Sequence, residues 1–166
     1  MSVNIALLTV TDTRTLETDK SGNILVEKIK KAKHNLVERK ICKDNKEDIK
    51  IILKEWTHKK DLDVIITTGG TGLTGRDITP EALDEIADKH IPGFGEIFRY
   101  YSLETVGTSS IQSRACAILS NGKYIFALPG SSGGVTDAWD KILVHQLDIN
   151  HKPCNFVELF PRLKEK

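Results

Sequence analysis

The 166-residue sequence has only three cysteines, one methionine, five prolines and 6% aromatic residues, and its charges nearly cancel at a formal +1. Cys42, Cys116 and Cys154 lie far apart with no C-x-x-C pair. That argues against a disulfide framework or a zinc site and predicts buried, inert thiols. No apolar run approaches the ~18 residues that a membrane span needs. The chain opens Met-Ser-Val-Asn-Ile and passes at once into a strand-like run, which predicts no signal peptide and a soluble, cytoplasmic protein. Lysines and arginines are scattered along helices rather than gathered in a stripe, so nucleic acid is not an expected partner. Lys28, Lys30, Lys31 and Lys33 read as the solvated face of one helix. With no repeat and no low-complexity segment, residues 1–166 are expected to form one domain with a substantial core.

What the chain does have is glycine, concentrated where it matters. Leu62 to Thr67 is a short, β-branched apolar run, the pattern of a strand buried on both faces of a parallel sheet. Gly69, Gly70, Gly72 and Gly75 follow, baring the backbone so that its N–H groups can approach a ligand. Thr79 is expected to cap a helix with Pro80 at its first position. A strand, a bare loop and a helix start make an anion site. Gly70-Thr71-Gly72-Leu73-Thr74-Gly75 satisfies G-x-G-x-x-G, but the helix opens too late for a dinucleotide fingerprint. Arg76 and Asp77 stand where a Walker A loop needs Lys and Ser/Thr, so this is not a P-loop either. A glycine loop that ends in an acid remains. Beside a phosphate, Asp77 calls for a cation between them and becomes a candidate Mg²⁺ ligand; the plainer alternative is a structural turn in which Asp77 caps a neighbour.

The remaining elements alternate. A strand is expected over Asn4 to Val10, a helix from Ser21-Gly22, and a weaker, edge-like strand over Leu36 to Cys42. A helix from Asn45 follows, with Ile49, Ile52, Leu53 and Trp56 on one face. Phe94, Ile97, Phe98 and Tyr101 mark a later helix whose aromatic stripe suits core or a subunit contact. Asn121-Gly122 between apolar runs predicts a β-hairpin with a type I′ turn. Pro129-Gly130-Ser131 leads into a last helix, and the tail from His151 is expected to pack over the surface. The fold class is α/β: three layers around a mostly parallel sheet with one antiparallel hairpin strand.

In such sheets ligands bind beyond the carboxyl ends of the strands. Asp12 follows the first strand and Asp44 the second, while the third precedes the glycine loop and Asp77. Gly130 and Ser131 follow the hairpin arm. Three acids and two glycine loops on one edge point to a phosphorylated ligand with a hydrated divalent cation, and hence to phosphoryl or nucleotidyl transfer. The five histidines are placed in helices or tails, away from a base's role. Ser131 could attack as a nucleophile, though a hydroxyl that binds phosphate is the plainer role.

Thr67-Thr68-Gly69-Gly70-Thr71-Gly72, Arg76-Asp77-Ile78-Thr79-Pro80-Glu81-Ala82 and Leu128-Pro129-Gly130-Ser131 resemble the signature of the MoaB/MogA family of molybdenum cofactor biosynthesis. Pro92-Gly93-Phe94-Gly95-Glu96 and Leu8-Thr9-Val10-Thr11-Asp12 are similar too. Ser113-Arg114-Ala115 and Lys152-Pro153-Cys154-Asn155-Phe156 lean towards the MoaB branch. The resemblance implies a molybdopterin-binding fold assembled as a homotrimer or homohexamer, with ATP and molybdopterin as substrates and Mg²⁺ as cofactor. Active members transfer AMP to molybdopterin and release pyrophosphate. It also implies that Asp44 and Asp77 are catalytic and metal-binding, and that Thr68, Gly69, Gly70, Thr71 and Gly72 hold phosphate. Asp12 would line the same pocket, Gly130 and Ser131 would help close it, and Ser113 would lie near the pterin side. Two functions follow as expectations: a molybdopterin adenylyltransferase, or a non-catalytic molybdopterin carrier.

Overall fold

The computed structural model describes residues Met1–Glu165. Its strands are β1 (Asn4–Val10), β2 (Asn35–Cys42), β3 (Val64–Thr68), β4 (Lys89–His90), β5 (Cys116–Ser120) and β6 (Lys123–Leu128). They form one sheet in the order β2-β1-β3-β6-β5-β4. β2, β1, β3 and β6 run parallel, while β5 and β4 are antiparallel to their neighbours. The hairpin strand β5 is therefore flanked by a further strand, two residues long and paired antiparallel to it, that the sequence pattern is too brief to reveal. It contains His90, so that histidine lies in the sheet rather than in a helix or tail.

Alternation along the strands divides the core in two. Ile5, Leu7, Val64, Ile66, Phe126 and Leu128 face one side, where helices α1 (Lys20–Lys31), α4 (Pro92–Val106) and α5 (Ser132–Ala138) pack. Ala6, Leu8, Ile65, Ile125 and Ala127 face α2 (Lys46–Thr57) and α3 (Thr79–Asp84). β3 is buried along its whole length, as its unbroken apolar pattern demands. β2 lies at the sheet edge and is only half-covered. Asn121 and Gly122 take positive φ, 48° and 72°, the backbone of a type I′ turn. α5 runs on through a π-helical stretch, Trp139–Leu143. Among the described residues no helix is long and apolar enough to cross a membrane.

Two helix starts differ from expectation. α1 begins at Lys20, one residue before Ser21, because the Asp19 carboxylate accepts from the Gly22 amide and caps it. Thr79 is the first residue of α3 and not its cap, since its hydroxyl is used elsewhere. Asn45 caps α2 as its position predicts, accepting from the Glu47 and Asp48 amides. The tail places Phe156 and Phe160 against Tyr124, with ring centroids 4.6 and 5.8 Å away. Of the thiols, Cys42 and Cys116 are partly buried but Cys154 is exposed, so the expectation of three buried thiols fails there.

Candidate anion and metal site

The chain reverses direction across the sheet at β1, whose neighbours are β2 and β3. The loops after β1, β2, β3 and β6 meet beyond that switch point. Gly69 (φ 103°) and Gly70 (φ 68°) turn the chain sharply after β3. A Cβ on Gly69 would stand 2.2 Å from the Val10 carbonyl oxygen, so no other residue fits.

Every carbonyl of this turn is committed. The Thr79 hydroxyl donates to the Gly69 oxygen at 2.9 Å and the Thr79 amide to the Gly70 oxygen at 3.0 Å. The Arg114 amide donates to the Thr71 oxygen at 2.9 Å, and Arg114 Nε to the Gly72 oxygen at 2.7 Å. The amides of Gly70 and Thr71, by contrast, have no acceptor among the described residues. A loop with its oxygens occupied and its N–H groups free is a partial positive charge awaiting an anion.

The second loop lies against the first. A Cβ on Gly130 would sit 3.3 Å from the Gly69 Cα, and the Thr68 hydroxyl donates to the Pro129 oxygen at 2.7 Å. The Ser131 hydroxyl accepts from the Gly134 amide at 3.1 Å and caps α5. Between the two loops and the C-terminal half of α4 opens a cavity of about 910 Å³. Gly70, Thr71, Gly72, Asp77, Ser113, Gly130 and Ser131 all line it. A smaller cavity of about 310 Å³ lies across the Gly130–Ser131 divide and takes Thr68 and Gly69, with Arg14 and Lys20. Asp12 and Asp44 line neither cavity.

The acids sit around the rim. Asp77 Oδ2 accepts from the Thr74 amide at 2.9 Å and the Thr74 hydroxyl at 2.7 Å, so it does cap a turn. Burial pushes its carboxyl up, but the Thr74 hydroxyl, the Thr74 and Gly72 amides and the Arg114 charge together hold it below the ordinary range. Asp12 accepts from the Asp44 amide at 3.2 Å and pairs with Arg76 at 2.7 Å. Hydrogen bonding from Arg76 holds its carboxyl low. Asp44 goes the other way: burial, then the Asp12 and Asp77 charges, raise it against the pull of Arg76. An Asp44 Oδ1 lies 3.1 Å from where a Gly70 Cβ would be, and an Asp77 Oδ2 2.8 Å from that of Gly72. The two carboxylates thus flank one glycine loop. Among the described residues no three His, Cys, Asp or Glu side chains converge tightly enough to form a metal cage.

Several residues of this edge escape a reading of the sequence. Arg114 reaches Gly72, Asp77 and Glu81, partners 33 to 42 positions away, and nothing local announces it. Asp19, buried, accepts from the Thr9 hydroxyl at 2.6 Å, the Ser21 hydroxyl at 3.3 Å and Arg39 at 3.0 Å. An acid just before a helical pattern is a legible cap signal, but its buried network is not. Arg14, from a loop whose course the sequence leaves open, and Lys20, the first residue of α1, bring positive charge to the smaller cavity.

Residues 6–149 match the family described as a probable molybdopterin binding domain. Molybdenum cofactor biosynthesis protein B of Escherichia coli K12 is 44% identical over 161 residues, 97% of this chain and 93% of that protein. Its Bacillus cereus counterpart is 46% identical over 146 residues, 87% of this chain and 86% of that protein. A crystal structure of molybdenum cofactor biosynthesis protein B superposes with TM-score 0.89 at 41% identity, covering 100% of this chain and 98% of that one. The tungsten cofactor synthesizing protein MoaB of Pyrococcus furiosus gives TM-score 0.76 at 36% identity, covering 86% of this chain and 91% of that one. The chain belongs to the molybdopterin-binding domain family of molybdenum cofactor biosynthesis proteins.

Proposed function

We propose that this chain acts in molybdenum cofactor biosynthesis, binding molybdopterin and adenylylating its terminal phosphate with Mg·ATP. A molybdopterin phosphate oxygen bonds to the α-phosphorus of ATP while the bond to the departing pyrophosphate breaks. One observation carries this reading: Asp44 and Asp77 flank a glycine loop whose Gly70 and Thr71 amides are free. A phosphate seated on Gly70 and Thr71 would lie between two carboxylates, an arrangement that a cation must neutralise. Burial first, then the Asp12 and Asp77 charges, raise the Asp44 carboxyl, and a bound cation would offset those charges. Asp44 and Asp77 would hold Mg²⁺, which when bound supplies charge neutralisation on the phosphates. The chain's own contribution is positioning: the amides would orient phosphate, and Ser113 and Ser131 line the cavity that would hold the substrates. The neighbouring cavity with Arg14 and Lys20 suits the rest of a polyphosphate.

The test is molybdopterin-dependent pyrophosphate release from Mg·ATP. It should be lost in Asp44→Asn and Asp77→Asn while both variants still fold. Undiminished turnover in either variant would remove that acid from the mechanism. A second reading, a molybdopterin carrier without turnover, is favoured by the engagement of Asp77 Oδ2 with Thr74. It predicts molybdopterin binding with no Mg²⁺-dependent thermal stabilisation by ATP. We further propose a homotrimer or homohexamer, supported by the exposed Ile97, Tyr100, Leu103, Val106 and Ile111 along α4 and the 3₁₀ helix after it (Gly107–Gln112).

A further inference from the structure

We propose that Arg114 is the positioning residue that holds the Gly72–Asp77 segment, and with it the Asp77 carboxylate, beside the free amides of Gly70 and Thr71, an inference that rests on reading those amides as the phosphate seat. The seat's own peptides are held by Thr79, whose hydroxyl and amide occupy the Gly69 and Gly70 oxygens; Asp77 stays beside the seat only if the segment that carries it keeps its shape. The turn from Gly69 to Asp77 is rich in glycine and therefore free to change shape. Arg114 removes that freedom from one side. Its amide holds the Thr71 oxygen at 2.9 Å, Nε the Gly72 oxygen at 2.7 Å and Nη2 the Asp77 oxygen at 2.9 Å. The guanidinium therefore spans both ends of the loop segment that carries Asp77. Glu81, in the first turn of α3, accepts from Nη1 and from Nη2 and holds the fork in plane. A planar fork can bridge two carbonyls set apart in this way, whereas the point charge of a lysine cannot.

The geometry separates positioning from charge. If Arg114 acted only through its charge, Lys would serve; if it acts as a fork, Lys fails as Gln does. The experiment measures two quantities on the full chain for wild type, Asp77→Asn, Arg114→Gln, Arg114→Lys and Glu81→Gln. The first is amide hydrogen exchange across residues 72–77, including the Asp77 amide bonded to the Thr74 oxygen. The second is the affinity for ATP with Mg²⁺ by calorimetry. In Arg114→Gln and Arg114→Lys alike, exchange should quicken and affinity fall, each by about tenfold, the measure of losing hydrogen bonds from a charged donor. Glu81→Gln, which keeps the fork but loosens it, should lie between these and wild type, and it carries the test should Arg114→Gln fail to fold. Wild-type exchange in the loop of Arg114→Lys, or of Glu81→Gln, overturns the proposal. The phosphate reading fails separately: wild type would then bind no ATP, or Asp77→Asn would bind as well as wild type, whatever the exchange shows.

Discussion

Gly69 offers the sharpest test of how the site is built, because its cost can be worked from geometry. Its φ of 103° is one that a residue with a Cβ rarely adopts, and an added Cβ would meet the Val10 carbonyl oxygen at 2.2 Å. The strain of a left-handed backbone is about 1–2 kcal/mol for an L-residue. The clash is with backbone, not the end of a flexible side chain, so it can be relieved only by parting β1 from β3, where overpacking costs about 1–3 kcal/mol. Gly69→Ala should therefore lose about 2–5 kcal/mol, a large share of the roughly 5–15 kcal/mol that holds a domain together. At about 2–4 °C per kcal/mol for a chain of this length, the melting temperature should fall by about 4–20 °C. Urea unfolding gives the free energy directly, provided the slope is unchanged. Gly133→Ala is the control: it lies in α5, meets nothing within 4 Å and has no positive φ. Alanine there should be neutral or stabilise by up to about 1 kcal/mol. Equal stability of the two variants would refute the claim that close backbone approach, and not glycine content as such, shapes this edge.

Asp19→Asn should cost about 3 kcal/mol, since it strands the Arg39 charge in a largely buried setting. Burial raises the Asp19 carboxyl, yet bonds from Thr9, Gly22 and Arg39 bring it below its ordinary value. A carboxyl depressed in the folded state stabilises above its unfolded pKa, and that stability is lost as pH falls through the folded value. Acid titration of the melting temperature should thus fall less steeply below about pH 4 in Asp19→Asn than in wild type; parallel curves would contradict this. Arg76→Ala breaks an exposed ion pair with Asp12 and should leave the denaturation midpoint indistinguishable from wild type, because solvent screens such a pair. Burial pushes the Cys42 thiol up to about 12 and Cys116 up to about 11. A thiol reagent at pH 8 should therefore label Cys154 alone in the native protein and all three cysteines in urea, as mass spectrometry would show.

The layers, the hairpin and the edge where the loops gather are legible in the sequence because each rests on a local pattern. β3 is announced by an unbroken apolar run, α2 by Asn45 and its periodic face, the hairpin by Asn121-Gly122. The strand-end rule then places Asp12, Asp44, Asp77, Gly130 and Ser131 on one side of the sheet without further information. Where a residue's role is decided by a partner distant in sequence, the same reading falls short. Thr79 looks like a cap because caps are local, but its hydroxyl serves Gly69, ten positions back. Arg114 stands just ahead of the hairpin with no local signal of a role, and only the fold shows that it grips the Gly72 and Asp77 oxygens.

The difference has a physical root. A bare loop supplies approach but not orientation: with no side chains, each peptide is free to face the ligand with an N–H or an oxygen. Orientation must come from outside: Thr79 holds the Gly69 and Gly70 oxygens and leaves the Gly70 and Thr71 amides exposed, while Arg114 holds the Thr71, Gly72 and Asp77 oxygens further along. The glycines in the sequence therefore mark where an anion could bind. The donors that occupy the loop's oxygens, read only from the fold, decide that it is an anion the loop would receive.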